Sequence, residues 1–106
     1  MGNKYGAKKV VDPATGEKFD SKKEYYRWCG LRLMERAGKI QDLKRQVKYE
    51  LIPKQKGERA CYYIADFTYY EDGQFVVEDC KGHKTEVYRL KKKLMMWVHG
   101  IRIKET

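Results

Sequence analysis

The sequence predicts a single α/β domain in which a central mixed sheet is flanked by two helices, with the element order α-β-β-β-α-β. Two segments carry apolar residues at helical spacing behind good N-terminal caps, and three segments between them are rich in β-branched and aromatic residues. A chain of 106 residues is long enough for one modest core. A helical crossover should return the last strand to the same sheet by a right-handed connection.

The N-terminal part is expected to be a basic, glycine-rich arm over residues 1–18, either loose or folded as a short hairpin, ahead of a domain over residues 19–106. The first helix of that domain should run from about Ser21 to Ala37. Ser21 is a favourable N-cap, and Glu24 follows three residues later as in a capping box. The apolar face of this helix comprises Tyr25, Trp28, Cys29 and Leu31.

Three strands are expected between the two helices. The first shows regular alternation of apolar and polar residues, and the second and third are separated by a turn over residues 70–74. Pro53 should end the first strand ahead of an exposed turn. The predicted bounds are Gln46 to Ile52, about Ala60 to Tyr70, and about Gln74 to Lys81.

A second helix is predicted from about Thr85 to Val98, followed by a short strand from Ile101 to Glu105. Thr85 can cap the helix, and an acidic residue in the first turn suits the helix dipole. Its core stripe is expected to be Val87, Leu90, Leu94 and Trp97, with Arg89, Lys91, Lys92 and Lys93 on the opposite face.

The composition favours a nucleic-acid partner. The formal net charge is +9, from 24 lysines and arginines against 15 acidic residues. Such a surplus on a small domain favours a polyanion, although surplus lysines can also serve only for solubility. The sequence has no apolar run of membrane-spanning length, so no membrane is expected as a partner. Three widely spaced cysteines suit a reduced protein of the cytoplasm, and they do not make a zinc site.

The most informative residues are Asp66, Asp79 and Lys81. A hairpin of the second and third strands should bring Asp66 close to the other two. Because strand side chains alternate, Asp79 and Lys81 share a face, whereas Glu78 should point to the other face and pair with a helix or with solvent. Two carboxylates and a lysine at one edge of a sheet can hold a hard divalent cation beside a phosphate.

The element order and these motifs resemble the PD-(D/E)xK nuclease superfamily, which has the restriction-endonuclease-like fold. More closely, the chain is similar to a family of small phage and prophage proteins of unknown function within it. The resemblance covers nearly the whole chain and is most specific from Ile64 to Leu94. It departs from the superfamily motif at Ala65, where the motif has proline. The matching stretches are residues 19–24, 63–67, 77–82 and 84–93.

The resemblance implies a metal-dependent DNA endonuclease. It makes Asp66 and Asp79 ligands of Mg²⁺ or Mn²⁺ and makes Lys81 the lysine that positions or activates water. Glu24 matches a helical acid that many members aim at the same site, so the resemblance implies that it is a further catalytic residue and metal ligand. Gln46 and His83 are expected to line that site, and DNA is expected to contact Lys84, Arg89, Lys91, Lys92 and Lys93. Within this class, a homodimeric resolvase of four-way or branched DNA is the favoured function.

Several of these residues also have purely structural interpretations. Glu24 can serve only as the capping-box glutamate. Asp79 and Lys81 can form an ion pair on an edge strand, since charge protects edges from unwanted pairing. The lysine run over residues 91–93 can be a solvated helix face. The main functional alternative is a non-catalytic DNA-binding accessory protein of phage recombination or replication, and a further one is an inhibitor of a host enzyme.

Overall fold

The computed structural model of the protein describes residues 9–80 and 85–106. Its main sheet has four strands of mixed direction and is accompanied by two helices, so the predicted α/β class and the order α-β-β-β-α-β are confirmed. A short hairpin precedes the first helix. The elements are β1 (Val10–Val11), β2 (Lys18–Phe19), α1 (Lys22–Arg36), β3 (Ile40–Ile52), β4 (Cys61–Glu71), β5 (Gln74–Asp79), α2 (Glu86–His99) and β6 (Lys104–Glu105).

The main sheet has the strand order β3-β4-β5-β6. The first three strands are antiparallel neighbours, and β6 pairs in parallel with β5 after the chain has passed through α2. Strand β6 therefore lies beside β5, with Asp79 opposite Glu105 in the register. In the described parts of the chain, neither helix is long and apolar enough to span a membrane.

The caps predicted for both helices are present. Ser21 accepts a hydrogen bond from the backbone N–H of Glu24 at 3.1 Å, and Thr85 accepts one from the N–H of Tyr88 at 3.1 Å. Helix α2 ends at Gly100, which adopts a left-handed conformation with a φ of 67°. Glycine populates this region at little cost, so the helix ends here for a local reason.

Two apolar clusters form the core, one against each helix. The first packs β4 and β5 against Met95 of α2, and the second packs them against Leu31 of α1. Val77 belongs to the first cluster, whereas its neighbour Val76 packs against the second. Because adjacent strand residues point to opposite faces, the two clusters lie on opposite faces of β5. The sheet is therefore covered by α2 on one face and by α1 on the other.

The apolar face of α1 is used within the monomer. Leu31 is fully buried, and the Trp28 ring stacks on Phe67 with a centroid distance of 5.9 Å and an interplanar angle of 12°. Tyr25 makes an edge contact with Phe19 of β2, with the ring centroids 5.2 Å apart. These side chains therefore contribute to the core, where they are not available as a self-complementary surface for a second copy.

Strand β3 is longer than predicted and begins at Ile40 rather than Gln46. The alternation predicted from Gln46 onward does not extend backward, because the ladder is interrupted by a register shift between Gln41 and Lys44. Asp42 and Gln46 also have positive φ angles, of 55° and 57°. Residues 40–45 of β3 nevertheless pair with residues 67–71 at the C-terminal end of β4, and this pairing holds the irregular segment in the sheet.

The core stripe predicted for α2 is confirmed at Leu94 and wrong at its other three positions. Leu94 packs on the cluster that contains the fully buried Met95, whereas Val87, Leu90 and Trp97 are 63%, 58% and 85% exposed. The buried side of the helix is therefore shifted by about one residue. One residue corresponds to a rotation of about 100° around a helix. The observed rotation is explained by a polar anchor, because the Tyr88 hydroxyl donates to Glu105 at 2.7 Å and Lys92 pairs with the same carboxylate at 3.2 Å.

A buried ion pair fastens α1 to the sheet. Glu78 of β5 is fully buried and accepts two hydrogen bonds from the Arg27 guanidinium, at 2.7 and 2.8 Å. The Tyr69 hydroxyl donates to the same carboxylate at 2.7 Å. The prediction that Glu78 points away from Asp79 and pairs with a helix is thus confirmed. A buried carboxylate is tolerated only when such partners satisfy it.

The protonation of Glu78 is coupled to folding. Burial alone would raise its pKa, but the hydrogen bonds from Arg27 and Tyr69 outweigh burial and hold the pKa below the ordinary value of 4.5. A carboxyl group with a lowered folded pKa adds stability above its unfolded pKa, and this stability is lost as the pH falls through the folded pKa. The free energy of unfolding should therefore decline below about pH 4.5.

Replacing Arg27 with alanine should lower the free energy of unfolding by about 3 kcal/mol near neutral pH, because Glu78 would lose its buried cation. Burial would then dominate, so the deficit should shrink as acid neutralises Glu78. Urea denaturation at about pH 7 and about pH 4 measures both effects. Arg36→Ala, in the exposed last turn of α1, is the matched control. A deficit that is equal at both pH values would contradict the coupling.

Candidate functional site

Asp66 lies near the middle of β4, at the point where the strand passes from the cluster against α2 to the cluster against α1. Ala65 packs in the cluster against α2 and Phe67 in the cluster against α1, although regular alternation would place both on one face. Opposite this point, Gln46 of β3 has its positive φ. The Asp66 side chain is 1% exposed, and one of its oxygens accepts a hydrogen bond from the backbone N–H of Cys80 at 2.8 Å.

Asp79 is the last residue of β5 and is also 1% exposed. Its carboxylate accepts a hydrogen bond from the Tyr63 hydroxyl at 2.7 Å. Burial first, and then the charges of Asp79 and Asp66, raise the pKa of Tyr63. The phenol is therefore held in its protonated, donating form. The Asp66 carboxylate binds the backbone N–H of the residue that follows Asp79, so both aspartates lie at the end of β5.

Cys80 lies where several acids meet. The pKa of its thiol is raised to about 12, first by burial and then by the negative charges of Asp66, Glu24, Glu78 and Asp79. Cys80 follows Asp79 directly, and its backbone N–H is the group that binds Asp66. The end of β5 thus gathers buried acidic side chains, with Asp66 bound to the backbone N–H that follows Asp79.

Glu24 is 3% exposed, and each oxygen of its carboxylate accepts a hydrogen bond. One oxygen accepts from the backbone N–H of Asp20 at 3.1 Å, and the other accepts from the Gln46 amide at 3.1 Å. The first contact is of the capping-box type, because the side chain reaches back to the chain just before the helix. The second brings Gln46 beside Glu24, as a site-lining residue would be.

A small cavity of about 100 Å³ opens beside Glu24 and Gln46, and Lys18, Asp20 and Arg45 complete its lining. The Arg45 guanidinium lies 3.9 Å from the centroid of the Phe19 ring, and one of its nitrogens is 3.8 Å from the Glu24 carboxylate. This arrangement gives the acidic region a cationic wall on the β3 side. Such a wall suits an anionic group near the carboxylates.

The predicted DNA-binding residues separate into three groups. Arg89, Lys92 and Lys93 line a groove between α2 and the chain that leads into β6. We call it the basic groove, and define it by Arg89, Lys92, Lys93, Met96, Ile101 and Arg102. Lys91 is half-buried elsewhere on α2. Lys84 lies outside the described residues, as do the predicted catalytic Lys81 and the predicted site-lining His83.

The donors near the end of β5 suit a hard divalent cation, since Mg²⁺ and Mn²⁺ prefer carboxylate oxygen ligands. Asp66 and Asp79 bring such oxygens to the end of β5. Over residues 9–80 and 85–106, however, no three His, Cys, Asp or Glu side chains are arranged as a ready-made metal cluster. The two aspartates thus match the ligand type that such an ion prefers, and no third ligand of these types is grouped with them among the described residues.

Sequence reasoning missed three polar residues around Asp79. The sequence motifs give no role to Tyr63, Tyr88 or Glu105, yet Tyr63 binds Asp79 and Tyr88 binds Glu105. Burial, the hydrogen bond to Glu105 and the charges of Asp79, Glu105 and Asp66 raise the pKa of Tyr88. The one available signal was the parallel pairing of the last strand, which sets Glu105 opposite Asp79.

Residues 2–104 match the family model described as "Protein of unknown function (DUF1064)". The chain belongs to this family. The match spans nearly the whole sequence, in agreement with the predicted likeness to a family of unknown function, and the family's description assigns no activity. Comparisons with curated proteins and with solved structures gave no significant match.

Tyr63→Phe should destabilise the DUF1064 protein by about 1–3 kcal/mol, because it removes a hydrogen bond from a buried carboxylate and leaves the ring in place. Tyr70→Phe is the matched control, since Tyr70 is exposed on the same strand, and it should stay within about 0.5 kcal/mol of the wild type. Urea denaturation measures both. If the two variants are equally stable, the Tyr63–Asp79 contact contributes nothing to the site.

Proposed function

We propose that this protein is a metal-dependent DNA endonuclease that hydrolyses phosphodiester bonds, with a restriction-endonuclease-like fold of the PD-(D/E)xK type and an origin in phage or prophage. The proposal rests on the site's chemistry together with the sequence motifs. DNA is the expected substrate because the chain carries a formal net charge of +9.

One observation carries the proposal: two aspartates from neighbouring strands, each 1% exposed, converge at the end of β5. Burial of two carboxylates in one place is expensive, so such a pair is retained for a reason. The Asp66 carboxylate accepts from the backbone N–H of Cys80, and the Asp79 carboxylate accepts from the Tyr63 hydroxyl. These contacts hold two carboxylates at the end of one strand, where their oxygens are ligands of the kind that Mg²⁺ and Mn²⁺ prefer.

Each residue has a defined task in this proposal. Asp66 and Asp79 would hold Mg²⁺ or Mn²⁺, while Tyr63 keeps the Asp79 carboxylate in one orientation. When bound, such an ion neutralises charge on a phosphate and lowers the pKa of water. Lys81, two residues after Asp79 in the sequence, would stabilise negative charge on the scissile phosphate. Glu24 would support the site from α1 through Gln46.

Within this class we favour a resolvase of four-way or branched DNA that works as a homodimer. One chain offers one such site and cuts one strand at a time, and symmetric cutting of a junction needs two sites related by a twofold axis. This step rests on analogy with other small nucleases of the same type.

The second candidate is a DNA-binding accessory protein without turnover, and the environment of Glu24 favours it. Both carboxylate oxygens of Glu24 accept hydrogen bonds from protein groups, and a guanidinium nitrogen of Arg45 lies 3.8 Å from one of them. An acid held in this way serves structure rather than a metal. This candidate keeps the basic groove as its functional feature and leaves the two aspartates with a structural role.

Asp79→Asn should abolish cleavage while leaving DNA binding unchanged, because it removes a metal-binding charge and keeps the side chain's shape and its contact with Tyr63. Cleavage of linear, flapped and four-way DNA in Mg²⁺ or Mn²⁺ is the measurement, and DNA binding is assayed in parallel.

Asp72→Asn is the matched control, because Asp72 is an exposed acid in the turn between β4 and β5. It should cut like the wild type. Undiminished cutting by Asp79→Asn would remove Asp79 from the mechanism. A wild-type protein that binds DNA but cuts none of the three substrates would support the accessory candidate instead.

The protein should form dimers on junction DNA if it is a resolvase. Light scattering at micromolar concentration, with and without a four-way junction, gives the mass of the working unit. Two copies per junction are expected, because the two cuts must be related by symmetry. A single copy per junction would contradict the resolvase and leave a nicking nuclease as the function.

A further inference from the structure

The basic groove joins a cationic wall to an apolar floor. Arg89, Lys92 and Lys93 come from α2 and Arg102 comes from the segment that leads into β6, whereas Met96 and Ile101 are apolar. The groove has a volume of about 410 Å³. Lys92 is paired with Glu105 at 3.2 Å, and none of the described acidic side chains lines the groove itself. Its charge is therefore complementary to a polyanion.

Trp97 stands beside this wall and faces outward. It is 85% exposed, the largest exposure among the large apolar side chains of the described residues. Lys93 precedes it by four residues, so the two side chains are neighbours on the surface of α2. Leu90 and Val87 continue the exposed apolar surface toward the start of the helix. An indole so placed offers a flat face next to cations.

The groove also connects to the candidate site. Lys92 pairs with Glu105, which accepts from the Tyr88 hydroxyl and lies opposite Asp79 in the pairing of β5 with β6. From Arg89 to Trp97 the helix rises about 12 Å, at 1.5 Å per residue. A nucleic-acid strand rises about 3.4 Å per nucleotide in a helix, so this span corresponds to a few nucleotides.

We propose that the basic groove and Trp97 bind a short single-stranded segment of DNA. The groove's cations contact the phosphates, and an unpaired base stacks on the Trp97 indole. This inference rests on the proposed nuclease and narrows its substrate to DNA with unpaired nucleotides close to the cut, such as a flap or a branch point.

The single strand is favoured over other polyanions by size and chemistry. A groove of about 410 Å³ has the size of a small-molecule pocket, which admits one or two nucleotides but not a duplex. The faces of bases in a duplex are already stacked, whereas an unpaired base has a free face for an aromatic side chain. A second copy of this chain is disfavoured because it would set Arg89 and Lys93 against like charges.

The test measures binding in EDTA, so that it does not depend on metal or on cleavage. Fluorescence anisotropy compares a fluorescein-labelled oligothymidylate with a duplex of equal length, for the wild type, Trp97→Ala and Arg102→Ala. Tyr26→Ala is the matched control, because Tyr26 is an aromatic residue of similar exposure on the other helix. Circular dichroism checks that each variant is folded.

Trp97→Ala should weaken binding of the single strand about tenfold and binding of the duplex less than about twofold, because only the unpaired base stacks. Arg102→Ala should reduce the slope of log affinity against log salt by about 0.7, the value for one phosphate contact on a single strand. Tyr26→Ala should change neither.

An equal loss for both DNA forms in Trp97→Ala, or no loss at all, would overturn the proposal. So would tight, Trp97-dependent binding to phosphatidylserine vesicles without binding to the oligonucleotide, or a Trp97-dependent dimer without DNA. If the protein binds the single strand through Trp97 but never cuts DNA, the proposed single-strand binding is supported and the proposed nuclease activity is contradicted. If the protein cuts DNA equally well with and without Trp97, only the proposed single-strand binding is contradicted.

Discussion

The buried ion pair between Glu78 and Arg27 is the constraint on which the arrangement of the site depends. It fixes α1 against one face of β5 and sets the direction of every side chain on that strand. A register slip of one residue would exchange Glu78 with Asp79 and bury the wrong acid against Arg27. Because Glu78 must face α1, Asp79 faces the side of α2 and meets the Tyr63 hydroxyl. Two neighbouring acids thus take separate roles, one in stability and the other in the proposed chemistry.

Local signals were sufficient to predict most of the fold. Ser21 and Thr85 cap the helices as predicted, since capping depends on residues only three positions apart. The same locality explains the β4–β5 hairpin, whose turn at Asp72-Gly73 has two positive φ angles. The rotation of α2 was not predictable in this way. It depends on Glu105, which lies seventeen residues after Tyr88 and meets it only in the folded chain.

In the candidate site, too, features set by neighbouring residues were predictable, whereas contacts between distant segments were not. Alternation along β5 separated Asp79 from Glu78 correctly, because that rule needs only one strand. The contact of Asp66 with the Cys80 backbone and that of Gln46 with Glu24 both join distant segments. Both contacts also depend on irregular backbone. Gln46 of β3 has a positive φ, and it lies beside the part of β4 that passes from one apolar cluster to the other. Period-based reasoning assumes regular strands, so it located the acids but not the tyrosines that hold them.

The proposed nuclease requires Asp66 and Asp79 to hold a divalent cation together. Isothermal titration of the folded protein with Mn²⁺, without DNA, measures this binding. The wild type and Asp72→Asn should bind Mn²⁺ with similar heats, and Asp66→Asn should lose binding because one of two charged ligands is gone. No binding by the wild type, or equal binding by wild type and Asp66→Asn, would contradict it.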